Sequence, residues 1–221
     1  MKAIDSVLQL LVQQGGTELR LASDRCPRMF KEDVELPLTI PAMSTERIRY
    51  LLDATGLRDA LREDPDILLI GEMRDPETIS LALTAAETGH LVFASLHSRT
   101  APSAVERIVD TYAPERQRQI RVQLADSLRA VISQRLIPTA DGAGRVPAVE
   151  LLRVTHGVAN LIREGRTAQI VNALQAGGSE GMLVLERSLA DLLRANRIRR
   201  ETALAVANDS ATLNDYLRTA R

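Results

Sequence analysis

Apolar residues recur at more than one period along this chain, and each period predicts a different element. Ile4, Leu8, Leu11 and Val12 are spaced as one helix face, and Gly15-Gly16 ends the run. "TELRLA" (17–22) alternates as a short strand, and the Pro-punctuated "RCPRMFKEDVELPLTIP" (25–41) has room for one more strand pair. "STERIRYLLD" (44–53) opens with a possible capping box, Ser44 or Thr45 with Glu46 and Arg47 nearby. These segments predict a small α+β piece over residues 1–55, near the lower size limit for independent stability.

From Gly56 the pattern changes, and "GLRDALRED" reads as a short helix. Ile67 to Ile70 is an unbroken apolar run, as expected of a parallel strand covered on both faces. Asp75 is placed to cap a following helix, with Pro76 in its first turn, Glu77 at its positive end, and Ile79, Ala82, Leu83 and Ala86 as the inward stripe. Gly89 stops it, and "HLVFASL" (90–96) is a second strand, which completes a β-α-β unit. Thr100-Ala101-Pro102 starts the next helix, with Val105, Ile108, Val109 and Tyr112 inward. Beyond Pro114 a longer helix is expected to carry Ile120, Leu124, Leu128 and Val131 inward. "QRLIPTADGAGRVPAVELLRV" (134–154) reads as a hairpin around Asp141-Gly142-Ala143-Gly144. The remainder is helical in pieces, with stops at Gly165, Gly177-Gly178, Gly181 and Asn208. The fold class is α/β, and residues 56–221 form its main domain with a helical C-terminal part.

Composition narrows the functions. Of 221 residues, 45% are apolar but only 2% aromatic, so the core is built from Leu, Ile, Val and Ala. A net charge of -1 gives no general attraction to nucleic acid or anionic lipid. Cys26 is the single cysteine, which rules out an internal disulfide and suits a reducing compartment. No apolar run approaches the roughly 20 residues that span a bilayer, and the start is too polar and acidic for a signal peptide. The expected location is cytoplasmic. The basic run "RANRIRR" (194–200) reads as a solvated helix end.

Three clusters could carry chemistry. Gly71-Glu72 ends the first strand, where a carboxylate can polarise an attacking water or hold the shell of a Mg²⁺ ion. A parallel strand also commonly ends in glycine and a polar residue with no function attached. His90 and His97 bracket the second strand. Neighbouring parallel strands bring their C-terminal ends together, so His97 can lie near Glu72, while His90 falls roughly 20 Å away by strand rise. A Glu72/His90/His97 metal triad is thereby disfavoured, and no HExxH spacing exists. "ANLIREGRTAQI" (159–170) reads most simply as an amphipathic helix with Leu161 and Ile162 buried and Gly165 as its stop.

Taken in order, "LREDPDILLIGEMRDPETISLALTAAETGHLVFASLH" (61–97), "ERIVDTYAPERQRQIRVQLADSLRAVISQRLIP" (106–138) and "NLIREGRTAQI" (160–170) resemble the PilT/GspE-type family of secretion and pilus motor ATPases, closest to its twitching-motility, pilus-retraction branch. The likeness covers nearly all of 56–198 and, weakly, 1–52. It implies an incomplete RecA-like, P-loop NTPase-type parallel sheet preceded by a truncated N-terminal piece, ATP with Mg²⁺ as cofactors, a hexameric ring, and a pilus or secretion platform at the cytoplasmic face of the inner membrane as partner. It implies further that Glu72 is the Walker B carboxylate, that His90 and His97 are the His-box pair relaying nucleotide state, and that Gly71 and Arg74 lie close to the same site. Asn160, Leu161, Ile162, Arg163 and Glu164 match the second half of the retraction branch's AIRNLIRE motif, whereas Gly157-Val158-Ala159 depart from its first half.

The chain departs from the family in one larger respect. It contains no G-x-x-x-x-G-K-[ST] phosphate-binding loop and no acidic stretch before the first strand of the type the family carries, and its only lysines are Lys2 and Lys31. "RIRYLLDATG" (47–56) runs almost directly into "LRDALREDPD" (57–66), as after an internal deletion. A phosphate loop holds its ligand through successive backbone N–H groups at a helix N-terminus and neutralises it with lysine, so impaired ATP binding is expected. Three readings stay open: a motor subunit, a non-hydrolysing interaction subunit docking on a complete relative or a pilus base, and a decayed product.

Overall fold

The computed structural model describes residues 18–20, 28–31, 34–36, 61 and 65–219, the first three segments as backbone only. The expected first helix, the capping box at 44–47, nearly all of the short helix from Gly56 and the boundary after residue 55 lie outside the described residues. The chain divides into two compact units, Met1–Met73 with Gly89–Ser95, and Arg74–Thr88 with Leu96–Arg221.

In the first unit, β1 (Glu18–Arg20), β2 (Arg28–Lys31) and β3 (Val34–Leu36) form an antiparallel sheet in that order. This is the short strand and the strand pair expected from the alternating stretches. β4 (Ile67–Ile70) and β5 (Leu91–Ala94) pair in parallel, with Ile67 opposite Leu91 and Ile70 opposite Ala94. The expectation that both faces would be covered is corrected. Leu68 and Ile70 are buried, but Leu69 is 37% exposed, Leu91 48% and Phe93 45%. Side chains alternate across a strand, and a ribbon of two strands covers only one face of itself.

The second unit begins with α1 (Pro76–Glu87). Asp75 caps it, accepting from the Thr78 backbone N–H at 2.8 Å and the Thr78 hydroxyl at 2.8 Å. Those hydrogen bonds, the backbone one foremost, hold the Asp75 carboxyl below the usual range. Ile79, Ala82 and Leu83 are buried as expected, but Ala85 rather than Ala86 is fully buried. α2 (Ala101–Asp110) starts at a reciprocal cap between Thr100 and Ser103 and buries Val105, Ile108 and Val109. The buried Tyr112 hydroxyl donates to Pro76 O at 2.8 Å and ties the end of α2 to the start of α1.

α3 (Pro114–Ser127) is shorter than expected. Leu128 turns to an extended conformation, and Val131 lies in a strand rather than a helix. β6 (Ala130–Pro138) and β7 (Arg145–Arg153) form a nine-residue antiparallel hairpin in which Ala130 faces Arg153 and Pro138 faces Arg145. The β-branched Val131 and Ile132 suit this pleated pairing, so the hairpin takes residues that a helical period also fits. Gly142, at φ +75°, supplies the left-handed residue of the turn.

The helices α4 (His156–Arg163), α5 (Ile170–Ala176), α6 (Leu185–Arg194), α7 (Arg200–Val206) and α8 (Ser210–Thr219) follow, with short 3-10 turns at Thr167–Gln169 and Gly177–Glu180. The glycine stops fall where expected, with Gly165 and Gly181 both at positive φ. A further break not read from the sequence occurs at Asn196, φ +54°, a conformation asparagine tolerates better than most residues. Ile137, Val146 and Ala148 on the inner face of the hairpin pack with Leu185, Leu189 and Ala190 of α6, and with Ile198, Ala203 and Leu213. No helix among the described residues is long and apolar enough to cross a membrane.

Leu189 is fully buried in this cluster. Leu189→Ala is expected to destabilise the second unit by about 2–5 kcal/mol through lost burial and the cavity left behind, read as a lowered midpoint in chemical denaturation.

Candidate functional site

Glu72 follows β4 directly. The chain leaves Ile70 through Gly71, and three contacts hold the exit: Ser95 N–H to Ile70 O at 3.3 Å, Met73 N–H to Ser95 O at 3.1 Å, and the Ser95 hydroxyl to Gly71 O. These bonds carry the parallel ladder past the last paired residues and fix the backbone on both sides of Glu72, which is half-buried. His90 sits at the other end of the same ribbon, since Leu91 N–H donates to Asp66 O at 2.9 Å and places His90 before the first register pair. The sequence-based separation of Glu72 from His90 therefore holds. Among the described residues, no group of His, Cys, Asp and Glu is arranged to hold a metal ion.

Arg74 and His97 belong to the second unit, and both are exposed. The segment from His97 to Ala101 is held by three long side chains. Arg107 Nη1 donates to His97 O at 2.9 Å, Arg135 Nη2 donates to Arg99 O at 3.3 Å, and Glu150 Oε1 accepts from Ala101 N–H at 2.7 Å. His97, Arg99 and Arg107 line an open cleft of about 590 Å³ together with Glu106 and Asp110. Its mixture of two guanidiniums and two carboxylates gives it no strong preference for an anion.

Arg107, Arg135 and Glu150 were not singled out from the sequence. A signal for Glu150 did exist: in "RVPAVELLR" the inward positions are Val146, Ala148, Glu150 and Leu152, and an acid at inward parity requires a partner. Glu150 is 5% exposed. Burial pushes its carboxyl up, opposed by the Ala101 amide and by Arg135, and reinforced by the Glu186 carboxylate. Glu186, also buried, accepts from Asn208 N–H at 2.8 Å and Asp209 N–H at 3.1 Å. Arg135 donates to Val206 O and Asn208 Oδ1 as well as to Arg99 O. One buried polar cluster thus joins the His97 loop to the junction of α7 and α8.

The stretch from Asn160 to Glu164 spans the end of α4. Ile162 is fully buried and Leu161 half-buried, close to the amphipathic reading. Arg163 reaches Asp126 at the end of α3 at 2.8 Å and Asn160 Oδ1 at 2.6 Å. Both ends of the Arg163–Asp126 pair are substantially exposed, so the pair orients α4 against α3 more than it stabilises. Glu164 caps the helix and pairs with Arg166 at 3.2 Å.

Comparison with known proteins supplies the family. The Type II/IV secretion system protein family matches residues 50–218. The chain belongs to this family. Among its relatives, the twitching motility protein of Neisseria gonorrhoeae is 50% identical over 161 residues, 73% of this chain and 43% of that protein. The type IV pilus retraction ATPase PilT of Pseudomonas aeruginosa is 52% identical over 148 residues, 67% of this chain and 43% of that protein. A crystal structure of the pilus retraction motor PilT with bound ADP superimposes with a TM-score of 0.65 at 42% identity, covering 73% of this chain and 45% of that one. The chain therefore spans less than half the length of these relatives. The α/β class and the partial RecA-like fold expected from the sequence agree with these likenesses.

The burial of Glu150 has a pH signature. Its folded-state pKa lies above the ordinary 4.5, so the folded chain binds more protons than the unfolded chain between those two values. The contribution of this group to stability is full below about 4.5 and is lost as pH rises through the raised value. Glu150→Gln keeps an acceptor for Ala101 N–H but does not titrate. Denaturation midpoints measured from pH 4 upward are expected to fall more steeply for the native chain than for Glu150→Gln, and parallel curves would contradict this.

Proposed function

We propose that this chain acts in a pilus-retraction or secretion motor as a partial motor subunit that does not hold ATP by itself. By its resemblance to the family, Glu72 is the carboxylate that would polarise the attacking water, and His90 and His97 are the residues that would respond to nucleotide state. Gly71 and Arg74 flank the carboxylate in sequence. The oligomeric ring, the Mg²⁺ that accompanies ATP and the pilus or inner-membrane platform belong to the same reading.

One observation carries the proposal. Among the described side chains at the end of the parallel ribbon are the Glu72 carboxylate, an acceptor, and the Ser95 hydroxyl, already donated to Gly71 O, and the chain's lysines lie only at 2 and 31. A triphosphate needs convergent N–H donors and a cation, and these groups do not fit one. A second reading, docking on a complete relative, is favoured by the second unit, which has its own closed core across the hairpin and α6 to α8.

Titration of the purified chain with a fluorescent ATP analogue and Mg²⁺ is expected to show no saturation up to millimolar nucleotide, and Glu72→Gln is expected to leave background hydrolysis unchanged. Saturable binding in the micromolar range, with turnover lost in Glu72→Gln, would establish an autonomous motor instead.

A further inference from the structure

The outer edge of β6 carries the clearest unassigned surface. Val154 N–H donates to Arg129 O at 2.9 Å, and Thr139 N–H donates to Gly144 O at 3.0 Å. Both fall on the hairpin register, in which residue numbers of opposed pairs sum to a constant. Hydrogen-bonded pairs alternate along an antiparallel ladder, so odd-numbered residues of β6 bond to β7 and even-numbered residues direct their N–H and C=O groups outward. The opposite edge of β7 confirms the parity, because Leu151 exchanges both its hydrogen bonds with Leu183 at 2.8 and 2.9 Å. No strand among the described residues pairs with the outer edge of β6. Among the described residues, Leu136 O alone is engaged there, by Arg145 Nη1 at 3.4 Å.

The same even-numbered residues form one exposed face: Ala130, Ile132, Gln134, Leu136 and Pro138. Ile132 is 69% exposed and Leu136 53%. Native proteins protect such edges with lysine, inward charges, bulges or a covering element. This face has no charged side chain on β6, and the ladder is regular over nine residues.

We propose that β6 pairs antiparallel with β6 of a second copy of this chain, about a two-fold axis at Gln134. The strand is self-complementary in that register. Centring on Gln134 sets Ile132 opposite Leu136 of the other copy, Gln134 opposite Gln134, and Ala130 opposite Pro138. Every central pair joins two residues whose backbone groups face outward, as a hydrogen-bonded pair requires. The two isoleucines and two leucines then form a continuous apolar patch across the joint. Pro138, which has no N–H, ends the ladder at both extremities. Arg145 and Arg153 stand at opposite ends of β7, so across the joint their backbones are three strand spacings apart, about 14 Å, and the Arg145 guanidinium gives up Leu136 O to the Ile132 N–H of the other copy. The result is a four-stranded antiparallel sheet, β7-β6-β6-β7. This surface is independent of the nucleotide reading, and neither outcome of the ATP titration bears on it.

Sedimentation equilibrium across the micromolar range tests it. The native chain is expected to show a concentration-dependent monomer–dimer equilibrium. Ile132→Lys places an ammonium against Leu136 of the other copy, and Gln134→Pro removes the two outward N–H groups at the axis without touching the bonds between β6 and β7. Each is expected to weaken dimerisation by about tenfold or more, the scale of losing one pair of hydrogen bonds or burying an unpaired charge, with circular dichroism unchanged. Folding of at least one variant keeps the test decisive, and Ile132→Lys, at a strongly exposed position, has little reason to unfold. A chain that stays monomeric throughout overturns the proposal. So does a dimer that a folded Ile132→Lys leaves intact, or association that appears only when a different protein is added.

Discussion

The second unit depends on the burial of a carboxylate. An acid taken out of water must be surrounded by donors or give up its charge, and Glu150 has been given the Ala101 amide at 2.7 Å and the field of Arg135. That amide belongs to the first residue of α2, where unpaired N–H groups and the helix dipole both favour a negative partner. A side chain from the middle of the hairpin thus anchors the first amide of α2, whose start the Thr100–Ser103 cap defines, and with it the course of the His97 loop. Arg135, opposite Ala148 in the same ladder, spans from Arg99 O to Val206 O. Glu186 completes the arrangement by holding the amides of Asn208 and Asp209. Removing one member would leave another buried and unmatched, a more serious loss than the worth of any single bond.

The hairpin can play this part because its two faces are so different. Inward residues alternate between the apolar core against α6 and the polar cluster at Ser133, Arg135 and Glu150. Outward residues are uncharged on β6 and bounded by arginines on β7. Register makes the division strict, because a slip of β6 by one residue would bring Ile132 and Leu136 into the core and expel Arg135 from beside Glu150. The buried Glu150 carboxylate, held by the Ala101 amide, therefore also favours this register.

Much of this was legible in the sequence, for definite reasons. Asp75-Pro76, Thr100-Ala101-Pro102 and Gly165 act through their own backbone chemistry, so caps and stops could be read locally. The apolar runs at Ile67 and Leu91 gave the parallel pair. What was not legible depended on distant partners. Leu128 and Val131 fit a helical period, and only the pairing of β6 with β7 decides that the helix ends at Ser127. The exposure of Leu69 and Phe93 depends on what covers a ribbon, which its own residues do not state. At the site, Glu72 and the histidines could be named from motif order. The side chains that fix the His97 loop lie 10 to 53 positions away in the chain and left only a parity signal.

The family likeness and the missing phosphate grip bear on the same carboxylate from opposite sides. A Walker B glutamate works beside a phosphate chain whose charge is already held by amides, lysine and metal. Without those groups, a carboxylate and a phosphate oxygen about 4 Å apart repel by about 4 kcal/mol at an effective dielectric near 20. Arginine is abundant in this chain, but a guanidinium on an exposed segment, such as Arg74 after β4, cannot reproduce a cradle made of successive backbone N–H groups. Identity near 50% to a twitching motility protein over the matched residues and the absence of a G-x-x-x-x-G-K-[ST] motif from this sequence are therefore compatible. The preserved part is held together by its own core and its own buried charges, and neither depends on the nucleotide.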